Sequence, residues 1–338
     1  MLFPVSSVLT PVRRRRRRYR RRRLLPIVLG ILLAACAGAW LGSHRGTGAS
    51  PETAAAAARP TVKPKPKPKP KPHAAKPAPA RERLLTGGSL VAHRFAPRLL
   101  AASAILVDAN TGRVLWKLRA HQRRDVASTT KIMTALLALR KLGPHTIVTV
   151  DKSVPRVPLV KEGLRAGERV QAWKLFYAML LFSGNDDALA LAIAAGGDKS
   201  SFVHEMNREA RTLGLRDTHF VSPSGVVDVD NYSSAWDLAA LTRVAMRNPR
   251  FRRVVRTRIV HVPWSAPTFA KIYVNHNLLL GSYPGASGVK TGYTHKSGHC
   301  LVASATRGGV SLIAVVLDSP DTYRDARRLL DLGFSTMS

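Results

Sequence analysis

Residues 127–139 read Ala127-Ser128-Thr129-Thr130-Lys131-Ile132-Met133-Thr134-Ala135-Leu136-Leu137-Ala138-Leu139, a small polar turn that runs straight into an apolar helical pattern. Ile132, Met133, Leu136, Leu137 and Leu139 recur at helical spacing, which predicts a buried helix. With Ser128 in its first turn, Lys131 falls on the same face three residues on, within reach of a hydroxyl whose proton must be removed. A helix buried this deeply needs cover from other elements, and the flanking sequence supplies them.

Upstream, the aliphatic run Ser103–Val107 enters a turn at Asp108-Ala109-Asn110-Thr111-Gly112 and resumes at Val114–Trp116, the pattern of a β-hairpin. Downstream, 171–196 is helical with an interruption at Ser183-Gly184-Asn185, and a polar-apolar helix is expected over 199–213. Short β-rich stretches follow at Arg258–Pro263, Ile272–Val274, Cys300–Thr306 and Ser311–Leu317, and 321–333 closes as a helix carrying Leu329, Leu330 and Leu332. Strands at both ends thus enclose helices. The expected fold class is α+β: an antiparallel sheet flanked by terminal helices on one face, with a helical subdomain inserted between sequence-distant strands.

The first hundred residues cannot build such a core. Of 338 residues with net charge +34, residues 1–96 hold 21 Lys and Arg against 2 acids, and the remainder still carries about +15. Charge of this sign attracts anionic partners, whether nucleic acid, anionic lipid or acidic wall polymer. Topology chooses among them. Residues 1–23 end in the run RRRRRRYRRRR at 13–23, and 24–42 are apolar over about one membrane span. Arginines beside a first hydrophobic segment stay cytoplasmic, so the rest of the chain is expected on the outer face of the cell membrane, with no nucleic acid as partner. An uncleaved anchor is favoured because Ala37–Leu41 continues the apolar run, although Leu33-Ala34-Ala35-Cys36 has the form of a lipidation box and Gly42-Ser43 could serve signal cleavage. Residues 43–96 are an Ala/Pro/Lys-rich linker with a strict Lys-Pro repeat at 63–72, reaching at most about 170 Å in polyproline II. Residues 97–338 are left as the catalytic domain. Of the two cysteines, Cys36 and Cys300, no structural disulfide is expected.

Two further motifs complete a trio with Ser128 and Lys131. Ser183-Gly184-Asn185 places helix breakers in a helical region, as a loop presenting a hydroxyl and a carboxamide requires; Ser183 could relay a proton to a leaving amine, and Asn185 could hold substrate and lysine together. Gly288-Val289-Lys290-Thr291-Gly292-Tyr293-Thr294 reads as an edge strand that lets a substrate backbone approach and offers a cation and a hydroxyl to a terminal carboxylate. Lys131 acts as a base only when neutral, which calls for desolvation or a nearby cation such as Lys290. Asp186 and Asp187 read as supporting or capping groups. The ordered trio points to an acyl-transferring serine enzyme.

These residues resemble the low-molecular-mass penicillin-binding D-alanyl-D-alanine carboxypeptidases, from about Ser103 to Phe334, through Ala127–Ala135, Ser183-Gly184-Asn185-Asp186, Thr218-His219-Phe220 to Tyr232-Ser233, Asp237-Leu238, and Pro284-Gly285 to Thr294. The resemblance implies the serine β-lactamase/DD-peptidase-like fold. It makes Ser128 the acylated nucleophile, Lys131 its base and Ser183 a catalytic partner, with Asn185, Lys290, Thr291 and Tyr293 binding substrate and the backbone N–H groups of Ser128 and Tyr293 forming the oxyanion hole. The implied substrates are peptidoglycan stem peptides ending in D-Ala-D-Ala, the implied inhibitors are β-lactams, and no cofactor or metal is implied. Ser222-Pro223-Ser224-Gly225-Val226 departs from the Asn-Pro-His-Gly-Leu common in the family, so no site residue is assigned there. An N-terminal anchor is expected in place of the second domain and C-terminal anchor of many relatives. A class A β-lactamase would need a deacylating glutamate that Glu205 and Glu209 do not supply. The alternatives kept are a D,D-endopeptidase and a non-catalytic β-lactam- or wall-sensing module.

Overall fold

A computed structural model describes residues 84–87, 97–158, 160–226, 230–266 and 268–337. The expected cytoplasmic segment and span, 1–42, lie outside the described residues. Among the described residues, no helix is long and apolar enough to cross a membrane.

Strands β1 (Ser103–Asp108) and β2 (Val114–Leu118) form the expected hairpin. After the short strand β3 (Arg124–Asp125), a 3-10 turn at Ala127–Thr130 leads into α1 (Lys131–Lys141). A helical region follows: β4 (Ile147–Thr149) pairs with β5 (Arg169–Gln171), then come α2 (Ala172–Tyr177), a π turn at Ala178–Phe182, α3 (Asn185–Gly196) and α4 (Lys199–Thr212). The pair-strand β6 (Tyr232–Ser233) joins β3, and α5 (Ala235–Ala245) and α6 (Pro249–Val255) precede the hairpin of β7 (Ile259–Val262) and β8 (Lys271–Val274). The chain returns through β9 (Ala286–Thr294), β10 (Gly298–Arg307), β11 (Val310–Leu317) and α7 (Thr322–Met337).

The main sheet is antiparallel in the order β2-β1-β11-β10-β9, so sequence-distant hairpins meet where β1 pairs with β11. Alternation along β11 divides the core: Leu312, Ala314 and Val316 face α7, while Ile313, Val315 and Leu317 face the helical region. The first face is covered by Ala326, Leu329, Leu330 and Phe334, one stripe of α7. Helix and sheet approach so closely at Gly333 that a Cβ there would lie 2.6 Å from Leu312 Cδ1. On the other face, Ile132, Met133, Leu136 and Leu137 bury α1 among α3 and α5, the burial that its apolar pattern predicts. Local signals set the ends of the outer helices: Asp198 accepts the Ser201 N–H (2.8 Å) at the start of α4, and Asn248 with Pro249 opens α6.

The α+β expectation is borne out, with two corrections. Only α7 supplies a terminal helix among the described residues. The stretch expected to be linker through residue 96 is gripped by the domain at Leu84–Gly87: Thr86 exchanges backbone bonds with Gly112 (2.9 Å) and Val114 (3.0 Å), Leu85 is buried, and Arg243 donates to the Leu84 carbonyl (3.1 Å). A buried leucine and an exposed sheet edge outweigh the polar composition around them.

Candidate active site

The nucleophile turn is tighter than an α-helical first turn. Ala127 takes φ +45°, Ser128 lies in the 3-10 turn, and Lys131 is the first residue of α1. This still puts the pair in contact: Lys131 Nζ is 2.8 Å from Ser128 Oγ, 2.8 Å from Asn185 Oδ1 and 3.1 Å from the Ser224 carbonyl. Lys131 is wholly buried. Burial first, and then the positive charge of Lys290, hold its ammonium well below the usual lysine range, against the pull of Asp187 and Asp186. A lysine so placed sheds its proton readily and has a hydroxyl at hand.

Ser183 and Asn185 reach the same place by a break in the helix. The π turn ends at Ser183 in the left-handed region (φ 75°, ψ 29°), and α3 starts at Asn185, whose N–H donates to Val160 O (2.8 Å) and whose Nδ2 donates to Pro158 O (3.2 Å). Gly184 between them must be glycine, because a Cβ would lie 1.8 Å from Asp187 Oδ2. Asp186 is a clamp: its carboxylate accepts the N–H groups of Glu162 (2.8 Å), Gly163 (2.8 Å) and Leu164 (3.1 Å), fixing the loop that flanks the cleft. The fully buried Asp187 has no hydrogen-bond partner for either oxygen among the described residues, and burial, reinforced by Asp186 and Glu162, raises it well above the usual carboxylate range.

Strand β9 forms the opposite wall and is an edge of the sheet. Gly292 allows it to touch the nucleophile turn, since a Cβ there would lie 3.0 Å from both Ser128 N and Val126 O. Lys290 is buried behind the wall with Nζ on the Thr291 carbonyl (3.0 Å), and burial pushes it down to about 7. Tyr293 is half exposed and stacks on His299, ring centroids 4.3 Å apart. Ser128, Ser183, Asn185, Thr291 and Tyr293 line one cleft of about 410 Å³, with Lys131 and Lys290 buried against it.

Sequence reasoning missed the floor of this cleft. The Ser224 carbonyl holds Lys131, Thr134 donates to the Pro223 carbonyl (2.6 Å), and a Cβ on Gly225 would lie 2.1 Å from Ala127 O. The segment 222–226 therefore supports the nucleophile turn through its backbone, and Pro223 and Gly225, two residues apart, are the turn signal that its residue types give. His276, Thr322 and Tyr323 also line the cleft unforeseen; burial and then Lys290 lower the His276 imidazole, favouring its neutral form. Cys300 is a free, buried thiol at the edge of the cleft. Among the described residues, no group of three or more His, Cys, Asp or Glu is placed to hold a metal ion.

Residues 91–321 match the D-alanyl-D-alanine carboxypeptidase family. The chain is 36% identical over 262 residues to a D-alanyl-D-alanine carboxypeptidase of Streptomyces sp. (strain K15), a match covering 71% of this chain and 89% of that one. It is 35% identical over 244 residues to the D-alanyl-D-alanine carboxypeptidase DacF of Bacillus subtilis (strain 168), covering 70% of this chain but only 62% of that protein, less than two thirds of its length. Among solved structures, the Streptomyces K15 DD-transpeptidase superposes with a TM-score of 0.66 at 35% identity, over 71% of this chain and 98% of that one.

Proposed function

The chain belongs to the D-alanyl-D-alanine carboxypeptidase family, and on that footing we propose that it removes the terminal D-alanine from peptidoglycan stem peptides through an acyl-enzyme on Ser128. One observation carries the assignment of roles: Lys131 Nζ sits 2.8 Å from both Ser128 Oγ and Asn185 Oδ1 in a buried site that favours the neutral amine. Lys131 takes the Ser128 proton as Oγ attacks the carbonyl carbon of the bond between the last two D-alanines. The developing oxyanion is held by the N–H groups of Ser128 and Tyr293, with β9 fixed against the turn at Gly292. Lys290 and Thr291 bind the terminal carboxylate. The proton held by Lys131 is relayed through Ser183 to the leaving amine, D-alanine departs, and water, giving up a proton to Lys131 that returns to Oγ, hydrolyses the ester and restores the Ser128 hydroxyl. A β-lactam offers the same attack and leaves Ser128 acylated.

Similarity to the Streptomyces K15 DD-transpeptidase supports a second fate for the acyl group, transfer to an amine in place of water. The proposed setting is the outer face of the cell membrane, with 24–42 as the span. The test incubates the full chain, beside Ser128→Ala, with pentapeptide muropeptides, cross-linked dimers and an amine acceptor, and follows products by mass spectrometry. Loss of one D-alanine from monomers, absent in the variant, is expected. Dimers split while monomers persist would replace this reading with an endopeptidase, and no product from either would leave a sensing module.

A further inference from the structure

Residues 243–258 contain seven arginines and no acid. Two of them point inward as struts: Arg243 donates to the carbonyls of Ala109 (2.9 Å), Asn110 (2.7 Å) and Leu84, and Arg250 to those of Leu142 (2.8 Å) and Leu139 at the end of α1. Arg247, Arg252 and Arg256 are exposed and line a groove of about 560 Å³ with the hydroxyl residues Ser287, Thr306 and Ser311, Arg252 while also donating to the carbonyls of Met246 (2.6 Å) and Arg247 (3.0 Å). No carboxylate and no aromatic ring lies among the described residues of its wall. The groove crosses the end of the sheet where β10 turns into β11, whereas the cleft lies at the other end, beside Cys300; Ser304, the β10 residue of the groove nearest the cleft, is four residue steps from Cys300, about 13 Å.

Guanidinium groups gathered over hydroxyls suit phosphate oxygens, to which they donate in pairs. The absence of rings removes the stacking on which single-stranded nucleic acids rely. None of the large apolar side chains exposed among the described residues borders the groove, which disfavours a lipid surface. We propose that this groove binds a polyol-phosphate chain, an anionic phosphodiester polymer of the cell envelope, and holds it while the cleft at the far end of β9 and β10 remains open to a stem peptide.

The test measures binding of the full chain to poly(glycerol phosphate) across a salt series, comparing wild type with R247Q/R256Q and with R169Q/R208Q, which removes the same charge from exposed positions elsewhere. R247Q/R256Q should bind about tenfold more weakly at 0.1 M salt, with a log–log salt slope lower by about two, one per guanidinium removed. Its stem-peptide hydrolysis should stay unchanged. The control should keep its affinity, because the N-terminal cations are common to all three. Ser311→Glu, which puts a carboxylate in the groove and removes no arginine, should reproduce the loss and guards against misfolding of the double variant. Equal weakening by both double variants, or a folded Ser311→Glu that binds as wild type, would overturn the proposal. So would a loss seen with phosphatidylglycerol vesicles and not with the polymer, or a thymidine oligonucleotide bound as tightly and weakened as much.

Discussion

Replacing Gly292 with alanine tests whether the contact between β9 and the nucleophile turn sets the reactivity of Ser128. The added Cβ would lie 3.0 Å from Ser128 N, 3.0 Å from Val126 O and 3.2 Å from Ala127 Cβ, where ordinary contacts are 3.4–4 Å. The first two are backbone atoms, so no rotamer relieves the clash. Strand β9 is held by its register with β10, in which Gly292 pairs with Cys300. The turn is held by 3-10 bonds and by Thr129 Oγ1 on Val126 O (2.7 Å), without a paired strand and with an alanine at φ +45°, so the turn yields. A retreat of about half an ångström lengthens the 2.8 Å contact between Ser128 and Lys131 and misdirects the Ser128 N–H. With a misplacement of 1 Å costing roughly 10²-fold, this shift should slow acylation about tenfold, or about 1.4 kcal/mol of barrier, with about 1–3 kcal/mol lost in stability. The assay is the acylation rate constant with a fluorescent penicillin, beside Gly143→Ala, whose Cβ meets nothing nearer than 3.4 Å. Acylation within twofold of wild type in a variant that melts normally would refute the reasoning.

Lys290→Met removes a positive charge that lowers Lys131, so the Lys131 pKa should rise, as followed by its Cε resonance; no movement would show burial acting alone. Asp186→Ala strips four backbone N–H groups, three of the 162–164 loop and that of Asp187, of their acceptor and should cost about 3 kcal/mol or more, a fall of roughly 6–12 °C in Tm by calorimetry. Asp237 accepts from Asp217 N–H and Thr218 Oγ1, yet burial pushes it up to about 6. With the folded value above the ordinary 3.8, stability is full below pH 4 and falls as pH rises through 6. Wild type should therefore lose about 3 kcal/mol relative to Asp237→Asn between pH 4 and pH 7, read from urea titrations at the two pH values.

Much of the fold was written in periodicity. Strands β10 and β11 are buried on both faces and read as apolar runs, while the stripe Ala326, Leu329, Leu330 and Phe334 marks the one buried face of α7, so the strands and the last helix stood out in the sequence. Ser128, Lys131 and Asn185 could be singled out because side-chain chemistry is visible in residue identity. What escaped the sequence works through the backbone. The Ser224 carbonyl on Lys131, the left-handed Ser183 and the 3-10 form of the nucleophile turn depend on how distant segments pack, and no residue type announces them. The same holds for Leu84–Gly87: a short stretch in a polar, proline-rich region pairs with a turn whose position only the folded sheet defines.

That pairing has a mechanical side. The chain enters the domain at the β1–β2 turn, where Arg243 bonds the Leu84 carbonyl and a Cβ on Gly112 would lie 2.4 Å from the same oxygen. Ser103, where strand β1 starts, lies about 17 Å from that turn, at the end of the sheet that holds the cleft. A pull arriving from the N-terminal side is thus taken up by a β-bridge and an arginine strut before it reaches any reacting group.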